Sequence, residues 1–180
     1  MPSLSHPTRE LLLQTGLQLA EAHGLAAMSV NAIVAEANVA KGTFYVHFED
    51  RTAFLVALHR WFHDRLKLSI LNATADQEPG QDRLQRGTNA YLDGCLQGKA
   101  VKALLLEARS EPAITDEVQR RNADFAQIAQ ADFAAMDWPN PEICARLYIT
   151  MCAEVALIEL ERGHAEDKAR STLYRMGYGI

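Results

Sequence analysis

The sequence predicts an all-helical chain. Capping and helix-stopping residues recur along it, its apolar residues repeat at spacings of three and four, and it lacks both sustained period-two alternation and hairpin turns of the Asn-Gly type between β-branched runs. Of its 180 residues, 48% are hydrophobic, enough for a sizeable core. About nine helices are expected, a three-helix head over residues 1–50 and a larger helical body over 51–180.

Thr8 is expected to cap a first helix on which Leu12, Leu13, Leu17, Leu19 and Ala20 recur at helical spacing, and Gly24 to end it. Ser29 caps a short second helix, SVNAIVAEA, with Ile33 and Ala37 on one face. Asn38 then takes the left-handed turn, since after Gly it is the residue that best tolerates that conformation. A third short helix spans roughly Ala40 to Val46. Asp50 caps a fourth running to about Leu71, with Phe54, Leu55, Leu58, Trp61, Phe62, Leu66 and Ile70 in one stripe.

After a polar loop from Ala73 to Gln81, helices are expected at Asp82–Leu96 and Val101–Ser110. The next is capped at Thr115 and carries Val118, Phe125, Ile128, Ala129, Phe133 and Met136. The run WPNP ends it, and Asn140 followed by Pro141 opens a long helix that Gly163 closes after Arg162. A last short helix covers roughly Ala165 to Met176.

Composition excludes several classes. No apolar run approaches the ~20 residues that cross a bilayer, and the start MPSLSHPTRE has no basic segment followed by an apolar one, so the cytoplasm is the expected location. Cys95, Cys144 and Cys152 form no CxxC pair and suit a reducing compartment. The net charge of −5 argues against bulk coating of nucleic acid. Residues 1–60 hold four cations (Arg9, Lys41, Arg51, Arg60) against five anions (Glu10, Glu21, Glu36, Glu49, Asp50), a balance of −1. DNA affinity must therefore rest on a few placed groups.

Two short helices joined by a tight turn form the helix-turn-helix unit whose second helix enters the major groove. Residues 29–48 have that size, and helical spacing aims Lys41, Thr43, Tyr45 and His47 away from the packing positions Val39 and Phe44. The segment TGLQLAEAHGLAAMSVNAIVAEANVAKGTFYVHFEDRTAFL, about a quarter of the chain, resembles the DNA-binding domain of the tetracycline-repressor (TetR) family, most specifically in ANVAKGTFYVHFEDR. The resemblance implies that Lys41, Thr43, Tyr45 and His47 lie on the recognition helix. It implies too that Tyr45 and Arg51 hold phosphates, and that Ser29 and Asn31 touch the flanking backbone. The chain departs from the pattern at Asn38, where Gly is usual, and at Ala40, where a Ser or Thr cap worth ~1 kcal/mol is usual. Thr15 and Gly16 replace an Ala pair and Ala20 an aromatic, which leaves a gap for neighbours to fill.

For the body, the resemblance implies an interior cavity for a small-molecule effector and a homodimer in which the last two long helices pair across a two-fold axis. Trp61, Phe62, Tyr91, Cys95, Leu105, Phe125 and Phe133 are candidate cavity residues. Glu154 joins them as a carboxylate set in the apolar face Ile143, Leu147, Met151, Ile158, where it needs a partner from an arginine or from the effector. His59 and His63 have the i, i+4 spacing of a metal pair but no obvious third ligand, and are expected on the solvated side of their helix. No metal or cofactor is expected. The function implied is a repressor that leaves a palindromic DNA operator when its effector binds. The alternatives are an adaptor without DNA binding and a helical-bundle enzyme, although neither paired carboxylates with Glu-x-x-His spacing nor a nucleophile with its base is present.

Overall fold

The computed structural model describes residues 6–24, 28–98 and 112–178. Among them are eight helices and no strand: α1 (Pro7–His23), α2 (Val30–Glu36), α3 (Lys41–His47), α4 (Arg51–Ala73), α5 (Gln81–Gln97), α6 (Pro112–Ala135), α7 (Pro141–Arg162) and α8 (Asp167–Tyr178). The expected helix Val101–Ser110, and Leu105 within it, lie outside the described residues.

Local chemistry sets most of the boundaries. Ser29 Oγ accepts from the Ala32 amide at 3.1 Å, and Asp50 Oδ1 from the Ala53 amide at 2.7 Å, so each capping residue satisfies an orphan amide of the first turn. Asn38 (φ 52°) makes the left-handed turn between α2 and α3, and Gly24 (φ 75°) and Gly163 (φ 78°) close α1 and α7. Three starts differ from expectation. Pro7, whose missing N–H costs nothing at a first helical position, begins α1 in place of a Thr8 cap. Thr115, the expected cap of α6, lies inside that helix, which is described from Pro112. The last helix begins at Asp167 because the Glu166 amide is taken at 3.0 Å by Glu159 Oε1 of α7.

Two cores result. In the head, Leu12 and Leu13 of α1, Met28, Ile33 of α2, Phe44 of α3, Phe48, and Phe54, Leu55 and Leu58 of α4 pack together. The Phe44, Phe48 and Phe54 rings meet at centroid distances of 4.9 to 5.4 Å. Beside Gly16 the space is filled by Phe54, and Ala20 is itself buried in the head core. The body core joins Leu66 and Ile70 of α4 to Tyr91, Leu92 and Cys95 of α5, Phe125 and Phe133 of α6, and Tyr148, Cys152 and Val155 of α7. The helix α4 belongs to both cores, and Ile114 at the start of α6 packs into the head.

The close approach of α1 to α4 makes a direct test. A methyl group at Gly16 would lie 2.5 Å from Phe54 Cζ. Gly16→Ala should therefore lower stability by about 1–3 kcal/mol, although Ala is the better helix former by ~1 kcal/mol. Thermal unfolding followed by circular dichroism checks this, and adding Phe54→Leu should restore part of the loss.

Candidate nucleic-acid interface and interior cavity

The recognition unit is positioned from its buried side. Phe44 and Phe48 anchor α3 in the head core, which leaves Lys41, Gly42, Tyr45 and Val46 on its outward face. Tyr45 is 50% exposed and Val46 79%. Sequence reasoning passed over Val46, because a β-branched apolar residue reads as core. Thr43 and His47 are half-buried at the sides of that face. The His47 ring lies 4.7 Å from that of His6, and burial, with His6 and Arg9 nearby, lowers its pKa. Arg9 is stacked over the Phe48 ring at 5.2 Å. Ser29 and Asn31 are exposed at the start of α2, with the Ser29 hydroxyl engaged in its cap. Ala40 gives α3 no side-chain cap. Arg51 Nε donates to the Met28 carbonyl at 3.0 Å, so this residue also ties α4 to the entry of α2.

An interior cavity of about 50 Å³ lies in the body between α4, α5, α6 and α7. Its walls are mostly apolar: Ile70, Leu84, Tyr91, Phe125, Ile128, Ala129, Ile149 and Cys152. Two polar features face it. Thr88 Oγ1 donates to the Leu84 carbonyl at 2.8 Å and lies 3.0 Å from the Tyr148 hydroxyl, which must then be the donor of that pair. Asp132 accepts from Arg83 Nε at 2.6 Å and from the Gly80 amide at 3.0 Å.

Of the expected cavity residues, Tyr91 and Phe125 line this space. Trp61 packs on the head core, with Arg65 4.9 Å over its ring, and Phe62 and Phe133 belong to the body core. Cys95 is fully buried beside Tyr91, and burial pushes its thiol pKa up to about 12, as it does that of Cys152. Neither thiol is poised for oxidation at neutral pH. Glu154 lies away from the cavity. The helix α7 carries two apolar stripes, and the buried one runs Ala145, Tyr148, Cys152, Val155, Ala156, so Glu154 stands exposed on the other with Ile143 and Leu147. The fully buried carboxylate of α7 is Glu159, held by Arg170 at 2.6 and 2.9 Å.

His59 and His63 also differ from expectation. Both face inward where α4 crosses α6, 0% and 4% exposed, with ring centroids 4.3 Å apart. The surrounding charged groups are Arg60, Asp64 and Lys67 of α4 and Glu117, Arg120, Arg121 and Asp124 of α6. Glu117 is gripped by Arg60 at 2.7 Å and Arg120 at 2.8 Å. Burial works against its charge, but these arginines prevail and its pKa is lowered. Among the described residues no three His, Cys, Asp or Glu side chains form a metal-holding group.

Burial, followed by the charge of Arg121, holds the His59 pKa down to about 4 and that of His63 well below 6.5. Between pH 6.5 and about 4 the unfolded chain binds protons that the folded chain refuses, so the stability from the neutral pair is complete above 6.5 and drains as pH falls. The thermal midpoint should drop from pH 7 to pH 5, with up to ~1.4 kcal/mol per pH unit from each histidine. His59→Leu should flatten that profile in the same circular-dichroism titration.

Residues 12–58 match the sequence family described as bacterial regulatory proteins, tetR family. The transcriptional repressor NemR of Escherichia coli strain K12 is 40% identical over 65 residues, which are 34% of this chain and 33% of NemR. The transcriptional repressor DhaR of Mycobacterium sp. strain GP1 is 34% identical over 98 residues, 51% of this chain and 50% of DhaR. The chain thus spans half or less of the length of these relatives. A crystal structure of a TetR transcription regulator from Haloarcula marismortui superimposes with a TM-score of 0.83 at 16% identity, covering 96% of this chain and 97% of that one. Residues 12–58 thus resemble the tetR family of bacterial regulatory proteins in sequence, and the chain over its length has the fold of a TetR transcription regulator.

Proposed function

We propose that this chain is a cytoplasmic, homodimeric transcriptional repressor that leaves a palindromic DNA operator when a small uncharged molecule enters its body. The observation that carries this reading is the exposed face of α3, where Lys41, Tyr45 and Val46 stand out from a helix that Phe44 and Phe48 fix to the head. On this reading Lys41, Thr43, Tyr45 and His47 face the major groove. Arg51, Ser29 and Asn31 meet phosphates at its edge. NemR and DhaR, which the chain resembles over 65 and 98 residues, are both transcriptional repressors.

The cavity supports an apolar, uncharged effector. Its charged wall groups, Asp132 and Arg83, neutralise each other, whereas the aromatic and aliphatic walls reward burial of carbon. Effector binding would favour the conformer in which α4 carries the heads out of the half-site spacing of ~34–36 Å. The dimer would form on the outer face of α7 with α8. Ile143 and Leu147 are exposed there, and a groove lined by Met151, Val155, Ile158, Leu173 and Met176 is edged by Glu154, Arg162 and Lys168. On this reading the chain acts by binding rather than catalysis: among the described residues the buried carboxylates Glu117, Asp132 and Glu159 are each engaged by arginine.

Retention on duplex fragments from upstream of its own gene, measured against salt, tests the reading. Binding should weaken steeply as salt rises, and Lys41→Ala should lower the slope of log affinity against log salt by about one. Tyr45→Ala should weaken binding further. If Lys41→Ala combined with Tyr45→Ala binds as wild type does, α3 is not the reading helix and the proposed contacts fall; if the wild-type chain binds no duplex, the adaptor reading replaces this one.

A further inference from the structure

Where α4 crosses α6, the hydrogen-bonding capacities of three buried side chains do not balance. Arg121 is 6% exposed, and its guanidinium reaches Asn122 Oδ1 at 2.8 Å and His63 Nε2 at 2.9 Å. Among the described residues no carboxylate pairs with it, for Glu117, one turn earlier on α6, is engaged by Arg60 and Arg120. A guanidinium has donors only, so His63 Nε2 must be the acceptor and His63 Nδ1 carries the proton. That Nδ1–H is buried without a partner, as are both nitrogens of His59. These groups line a polar chamber of about 40 Å³, roughly the room that one water-sized group occupies.

We propose that this chamber binds a compact monoanion of halide or small-carboxylate size, held by the Arg121 guanidinium and the imidazole N–H groups of His63 and His59. A buried cation and unpaired donors call for a negatively charged acceptor. A metal ion fits poorly: the chamber also holds Asp64, Glu117 and Asp124, but Arg60, Lys67, Arg120 and Arg121 outnumber these carboxylates, Glu117 is taken by two arginines, the His63 Nε2 lone pair is already used, and among the described residues no three His, Cys, Asp or Glu side chains form a metal-holding group. The site shares a wall residue, Phe125, with the interior cavity. An anion there ties the helix that carries the head to the body, and the inference does not depend on the nature of the effector or on DNA binding.

The test is thermal unfolding of the full chain in sodium chloride, sodium formate or sodium gluconate at equal ionic strength, the last anion being too large to enter. Chloride and formate should raise the midpoint by about 4 °C over gluconate. Arg121→Met, which removes the uncompensated charge, should be at least as stable as wild type in gluconate and indifferent to the anion. His59→Leu with His63→Leu should also lose the response. A bromide-soaked crystal should give an anomalous peak beside Arg121. Equal midpoints in all three salts overturn the proposal. So does a bromide peak without a solution effect, which marks an adventitious ion only. Stabilisation by zinc chloride over sodium chloride that the histidine variant loses would make the site one for cations and overturn it too.

Discussion

Everything in this fold depends on one helix serving two cores. The first two turns of α4 give Phe54, Leu55 and Leu58 to the head, and its later turns give Leu66 and Ile70 to the body. Close-packed interiors shift between discrete arrangements more readily than they deform. A rotation of α4 that is small within the body is therefore delivered to the head as a rigid displacement, with Phe54 seated against Gly16. Ile114 of α6 touches the same head core, so the head is gripped at two points.

Between its two apolar ends α4 carries His59 and His63, and the body as a whole manages its buried charge through arginine. Asp132 with Arg83 joins α6 to the start of α5, and Glu159 with Arg170 joins α7 to α8. Buried pairs of this kind contribute little net stability, because desolvation offsets most of the attraction. Their value here is geometric. Glu159 takes both the Arg170 guanidinium and the Glu166 amide, and thereby sets where α8 begins.

The head could be read from sequence because local rules and tertiary packing agree there. Ser29, Asn38 and Asp50 act through hydrogen bonds and backbone angles that reach no further than three or four residues. The body was less legible for the converse reason. With apolar residues on two sides of α7, periodicity alone does not say which stripe turns inward, and the stripe that carries Glu154 turns away from the cavity. His59 and His63, expected on the solvated side of α4, are buried. Their burial follows from the crossing of α6, a contact between residues some sixty positions apart. The cavity shares this dependence, since Thr88 and Tyr148 meet only in the folded chain.

The charge of the head has a kinetic consequence. With a balance of −1 over the first sixty residues of the chain, the head and the start of α4 offer duplex DNA little attraction beyond the ~8 Å over which physiological salt leaves charges visible. For a DNA-reading protein that means brief stays on unrelated sequence and little sliding. Its search would run through repeated three-dimensional encounters, and its selectivity would come from how long α3 remains once seated.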